Sequence, residues 1–211
     1  MDFIKEPMAI ENRSMELIAP HLSGLGLDER ATKVYSRIIH ASGDVDYAPI
    51  IRVSPEAIDA AMEALRSGAH IYTDVEMVRT GINKKKLASF GGEVHCLVAD
   101  PDIAVCAKTE GITRSMVAMR RFGKDLNGSI IAIGNAPTAL FEVLRLVHEE
   151  GIRPACIVGI PVGFVGAAES KAELAGNGIV PYITVEGTKG GSPIAAAAVN
   201  AMMYLIDNTR P

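Results

Sequence analysis

The chain is poor in cysteine, with three in 211 residues. Cys96, Cys106 and Cys156 form an odd set without CxxC spacing, and each sits in an apolar run. They read as buried free thiols in a reducing compartment. An excess of basic charge is also missing. Lys and Arg number 21 against 25 Asp and Glu, for a net charge of −4. Such a field does not draw nucleic acid or an anionic membrane, although a local basic site for a small anion stays open. No apolar run is long enough for a membrane span. The longest candidate, PIAAAAVNAMMYLI, is broken by Asn200 and falls short of the roughly 20 residues required. The opening MDFIKEPMAIENRS carries early acids and no apolar stretch of signal-peptide length, so a cytoplasmic protein is expected. Tryptophan is absent, which decides little. Repeats, low-complexity tracts and linkers are not evident either, and one domain over 1–211 is expected.

What is present is an ordered alternation. Apolar spacing at Ile10, Ile18 and Leu22 predicts a helix from Pro7 to Leu22. A second runs from an Asp28 cap to Ala41, with Gly43 as its stop. Ser54-Pro55-Glu56 opens a third, with Ser54 at the N-cap. Beyond it, strands are expected in HIYTDV, EVHCLV, SIIAIG, ACIVGIP and YITVEG. Helical segments separate them: VEMVRTG, Asp102 to Lys108, ITRSMVAMRRF, PTALFEVLRLVHEEG and AAESKAELAGNG, with SPIAAAAVNAMMYLID last. SIIAIG and ACIVGIP are continuously apolar, as strands covered on both faces are. The fold expected is α/β: a three-layer sandwich with a mainly parallel sheet and an N-terminal helical segment. Ligands of such sheets bind at the carboxyl ends of the strands.

Three strand-to-helix joints there are rich in glycine and small polar residues: Gly134-Asn135-Ala136-Pro137-Thr138, Gly163 to Gly166, and Thr188-Lys189-Gly190-Gly191-Ser192-Pro193. None matches GxGxxG or GxxxxGK[ST], yet open helix N-termini attract anions. A nucleotide- or phosphate-dependent enzyme therefore remains possible on these residues alone. Arg114 starts a helix that also carries Arg120 and Arg121, and Lys171 and Lys189 lie at the later joints. Several of these sit close to the ligand end, where together they suit a ligand bearing several carboxylates. The histidines show no HExxH spacing, and GxSxG is absent. On the second helix, Lys33, Arg37 and His40 share the side opposite Ala31, Val34, Tyr35 and Ile38. Histidine can donate or accept a proton near neutrality, so this side is either a solvated face or a catalytic one.

These motifs resemble the precorrin-8X (cobalt-precorrin-8) methylmutase family essentially end to end. The resemblance is carried by Ser14, Arg37-Ile-Ile-His40-Ala-Ser-Gly43, Asp74 with Gly81, Thr113-Arg114-Ser115, Gly134-Asn135-Ala-Pro-Thr138, PVGFVGAAESK ending at Lys171, and Lys189-Gly-Gly-Ser192. It implies an isomerase of cobalamin biosynthesis that moves a methyl group between neighbouring carbons of a corrin precursor. It further implies His40 as catalytic acid in a sigmatropic shift, with Ser14, Arg37, Arg114, Asn135, Lys171 and Lys189 as substrate contacts. No cofactor and no protein metal site are implied, since any cobalt is carried by the tetrapyrrole substrate. A homodimer with active sites at its interface is the implied assembly. Asp44 leans toward the cobalt-containing branch. A non-catalytic tetrapyrrole carrier is the remaining alternative.

Overall fold

The computed structural model of the protein describes residues 3–207; Met1, Asp2 and residues 208–211, the two ends of the expected 1–211 domain, lie outside them. Among the described residues, ten α-helices pack around one six-stranded sheet.

The N-terminal helices are α1 (Pro7–Leu22) and α2 (Glu29–Ser42). Asp28 caps α2 as expected, its carboxylate accepting from the Ala31 N–H at 2.7 Å. Gly43 ends α2 with φ +64°, a left-handed conformation that glycine adopts without a Cβ clash. The expected stripe on α1 holds only in its second half. Ile18 and Leu22 are buried, whereas Ile10 is 46 % exposed. The reason is that α1 packs mainly on α2, which covers only the side chains aimed at it.

The strands are β1 (Ile51–Val53), β2 (Ile71–Thr73), β3 (Val94–His95), β4 (Ile130–Ile133), β5 (Cys156–Gly159) and β6 (Tyr182–Val185). Their order in the sheet is β1-β6-β5-β4-β2-β3. From β6 to β3 all neighbours run parallel, and only β1 runs antiparallel, with Ile51 opposite Val185. Sequence periodicity did not anticipate β1, because three residues are too few to show an alternation. The strands expected in HIYTDV and EVHCLV shorten to three and two residues.

The remaining helices are α3 (Ala57–Arg66), α4 (Glu76–Gly81), α5 (Lys84–Ala88), α6 (Pro101–Glu110), α7 (Arg114–Phe122), α8 (Pro137–Glu149), α9 (Ala167–Gly176) and α10 (Ser192–Ile206). The short α5 was not expected from the sequence. Side chains alternate along the sheet. Ile130, Ala132 and Val158 join one core with α2, α3, α4 and α10, while Ile131, Ile133 and Ile157 join another with α7, α8 and α9. This is the expected three-layer sandwich. The alanine-rich α10 permits close approach: a Cβ on Gly81 would stand 2.8 Å from that of Ala196.

Two local expectations change. Ser54 does not cap α3; its hydroxyl accepts from the Tyr182 N–H at 3.0 Å, because pairing β1 to β6 takes precedence. Of the cysteines only Cys156 is buried, with its thiol pushed up to about 12 by desolvation. Cys96 and Cys106 are half-buried, since they lie on the outlying β3–α6 side. Among the described residues no helix is long and apolar enough to cross a membrane.

Candidate active site

Because β2, β4, β5 and β6 are parallel, their carboxyl ends share one edge of the sheet. The segments leaving that edge are tied to one another. Asp74, just past β2, is fully buried. Its Oδ1 accepts from the Gly134 N–H at 3.1 Å, and its Oδ2 from those of Asn135 at 2.8 Å and Ala136 at 2.7 Å. Burial pushes this carboxyl above its ordinary range, and the three N–H groups partly oppose that. Asp74 thus caps α8 from a neighbouring strand, where Ala136 has no capping side chain. Gly134 must be glycine here, since a Cβ would meet Ser192 Cα at 2.6 Å. Thr113 Oγ1 lies 2.9 Å from Thr138 Oγ1, which brings the start of α7 and the exposed Arg114 to the start of α8.

The exit of β6 reaches the end of α2. Lys189 Nζ donates to Asp44 Oδ2 at 2.6 Å and stands 5.4 Å from the centre of the Tyr47 ring. Hydrogen bonding to Lys189 holds the Asp44 carboxyl below its ordinary value, and the same bond raises the Lys189 ammonium. His40 sits exposed in the last turn of α2, one turn before Asp44. At the exit of β5, Gly163 and Gly166 take φ +149° and +78° and present Phe164 and Val165 at 95 % and 89 % exposure. A tip of two nearly bare apolar side chains beside charged groups suits a ligand with both an apolar face and an anionic rim.

The comparisons with known proteins agree on one family. A family model described as "CbiC: Precorrin-8X methylmutase" matches residues 9–205. The chain belongs to the precorrin-8X methylmutase family. It is 41 % identical over 203 residues to a cobalt-precorrin-8 methylmutase of Priestia megaterium, covering 96 % of this chain and 90 % of that one. It is 42 % identical over 203 residues to a precorrin-8X methylmutase of Pseudomonas aeruginosa, covering 96 % and 97 %. A crystal structure titled as precorrin-8x methyl mutase from Thermus thermophilus superposes with TM-score 0.86 at 34 % identity, covering 97 % of this chain and 98 % of that one.

Within this methylmutase the residues singled out in the sequence fall into three groups. His40, Arg114, Asn135 and Lys189 border the carboxyl edge; the first three are exposed, and Lys189 is paired with Asp44. Arg37 and Ser14 lie where α1 crosses α2. Arg37 bonds Glu11 with its side chain only 14 % exposed, and the Ser14 hydroxyl donates to Ile10 O at 2.9 Å. Lys171 stands behind the edge, 1 % exposed, with Nζ donating to Lys189 O at 2.5 Å. On the proposed catalytic side of α2, Lys33 pairs with Glu29 at 3.5 Å, which separates it from His40. Arg120 is likewise occupied, bonding the buried Glu142 at 2.7 Å. His70 and His95 meet edge to face on the far side of the sheet, with ring centres 5.0 Å apart. Among the described residues no group of three or more His, Cys, Asp or Glu is placed to hold a metal ion.

The sequence marks Asp74 as a motif residue and Asp44 as leaning toward the cobalt-containing branch, and assigns neither a structural task. An acid closing an apolar strand, as in HIYTDV, was the available signal for Asp74. Nothing local pointed Asp44 to Lys189, 145 positions away.

Proposed function

We propose that the chain catalyses methyl migration on precorrin-8 or cobalt-precorrin-8, giving hydrogenobyrinic or cobyrinic acid, with His40 as the acid. The observation that carries this reading is the place of His40. It is an exposed histidine in the last turn of α2, one turn before the Asp44 that bonds Lys189 at the carboxyl edge of the sheet. Protonation by His40 makes the conjugated ring electron-poor. The methyl group then migrates with its bonding pair to the neighbouring carbon, and the ring gives the proton back as it settles into product. The formula is unchanged, so no oxidant or reductant enters. Acid catalysis of this kind contributes about 10²–10⁴-fold, and restraint of the bound ring supplies more.

The acetate and propionate side chains of the ring suit Lys189, Arg114 and the Asn135 amide, with Ser14 and Arg37 along the α1–α2 border and Lys171 behind them. Each charge-assisted bond is worth about 1.5–3 kcal/mol. In this reading the whole chain acts as one catalytic domain in the cytoplasm, needs no cofactor, and meets any cobalt as part of the substrate. It works as a homodimer with the active site at the interface. Phe3, Met8 and Leu17, exposed at 62 %, 47 % and 57 % on and before α1, supply apolar surface beside that border which a second copy would cover.

The test is incubation with metal-free and with cobalt-loaded precursor, followed by absorption spectra and mass. A changed spectrum at unchanged mass supports isomerisation. Binding with a constant spectrum would instead indicate a carrier, and stabilisation by nucleotides alone a nucleotide enzyme. His40→Ala should turn over 10²–10⁴-fold more slowly; an undiminished rate would sink the assignment of His40.

A further inference from the structure

Lys171 is the largest of the fully buried side chains. A buried ammonium is normally matched by a carboxylate, because desolvating an unpaired charge is costly. Among the described residues no carboxylate forms an ion pair with Lys171; the acceptor of Nζ is the backbone oxygen of Lys189, at 2.5 Å. Burial also lowers its pKa to about 8. A methionine or leucine would fill the same space without that cost, so the amine is retained for what it holds.

What it holds is a segment that links the sheet edge to the end of α2 through the Lys189–Asp44 bond. Gly190 and Gly191, next to Lys189, have φ +156° and +130°, conformations that place few restraints of their own. Gly190 passes so close to the exit of β5 that a Cβ would stand 2.5 Å from Ile160 O. The flanks are tied there, Gly191 N–H to Ile160 O at 2.9 Å and Gly163 N–H to Thr188 O at 3.2 Å. Between the two ties the Lys189 carbonyl turns to Lys171 and its side chain turns to Asp44. Asp44 in turn packs onto the end of α2, its N–H donating to Ser42 Oγ at 3.1 Å.

We propose that Lys171 is a positioning residue of the active site, fixing through the Lys189 carbonyl where the Lys189 ammonium and the His40 end of α2 stand. The inference rests on the reading of this edge as the active site. It moves Lys171 from direct substrate contact to indirect control. A cavity of ≈ 440 Å³ lined by Ala168, Lys171, Thr184 and Glu186 lies alongside, so a small amine can reach the place of the ammonium when the side chain is cut back.

The experiment compares Lys171→Met, Lys171→Ala, Lys189→Ala and the Lys171→Met/Lys189→Ala double variant on the precursor substrate, with thermal melts of each. Expected is a fall in kcat of about tenfold for Lys171→Met, larger than any change in KM. The same substitution should cost under threefold in the Lys189→Ala background, because coupled residues are non-additive. Propylamine should recover part of the activity of Lys171→Ala, which also serves if the methionine variant does not fold. The proposal is overturned by an unchanged kcat in Lys171→Met, by an equal loss in both backgrounds, or by a loss confined to KM, which would mark direct substrate contact. Absence of amine rescue in a folded Lys171→Ala counts against it as well. His40→Ala separates the two readings. If it is inactive while Lys171→Met is normal, only the role of Lys171 falls; if His40→Ala is fully active, the active-site reading falls.

Discussion

Lys189 Nζ donates to Asp44 Oδ2 at 2.6 Å, and this contact joins the exit of β6 to the end of α2 across 145 positions of sequence. Through it a loop at the ligand edge of the sheet and the helix carrying His40 behave as one wall. The pair is nearly half exposed, with side chains 43 % and 36 % accessible, so its contribution to stability is small. Its value is geometric.

Asp44→Asn should therefore lower turnover by about 3- to 10-fold while shifting Tm by less than ~2 °C, as surface pairs do. Steady-state rates and a thermal melt check this. Because Asp44 is held below its ordinary value and Lys189 above its own, the pair stays charged across neutrality. It is lost as pH falls through the lowered Asp44 pKa or rises through the raised Lys189 pKa. The rate ratio of wild type to Asp44→Asn should thus be flat from about pH 6 to 9.

Asp74→Ala removes the common acceptor of three backbone N–H groups. Each buried donor left unpaired costs about 1–3 kcal/mol, with water recovering part of it. A loss of about 3–5 kcal/mol in denaturant unfolding is expected, together with loss of activity as the Asn135 joint relaxes. Asp74→Asn should fall between, because its amide oxygen replaces one carboxylate oxygen and its NH₂ faces N–H groups. Equal stability of Asp74→Ala and wild type would show that the joint does not depend on this cap.

Glu142 is the corresponding anchor on the other layer. Its side chain is 1 % exposed and bonds Arg120 and Arg145, each at 2.7 Å. Burial pushes this carboxyl up, but hydrogen bonds from the two guanidinium groups outweigh burial and leave it below its ordinary value. A lowered carboxyl contributes stability that is present above its unfolded value and lost as pH falls through the folded one. Glu142→Gln should cost about 1–3 kcal/mol at pH 7, less than a fully buried pair because both arginines are partly exposed. The difference from wild type should shrink below about pH 4, which urea unfolding at several pH values would reveal.

Much of the architecture was legible in the chain itself. Continuous apolar runs at SIIAIG and ACIVGIP require cover on both faces, and β4 and β5 have it. The Asp28 cap and the Gly43 stop placed α2 to within a residue, because capping is local chemistry. The family, too, was legible, since motifs such as PVGFVGAAESK and RIIHASG are contiguous. β1 was not, because a three-residue strand exists only through its pairing with β6. The tasks of individual charges were not legible either. Lys33, Arg37 and His40 share one side of a helix in sequence, yet Glu29 and Glu11 take up the first two and leave His40 open.

The sequence by itself thus determined the alternation of elements, the core stripes and the family, all of which depend on neighbours a few positions apart. Tertiary structure alone decided which charges are occupied and which remain available. Asp74 became the cap of a helix that starts 63 positions later, and Lys171 an interior prop for Lys189. Burial and partner choice depend on distances between segments far apart in the chain, and periodicity carries no record of those distances.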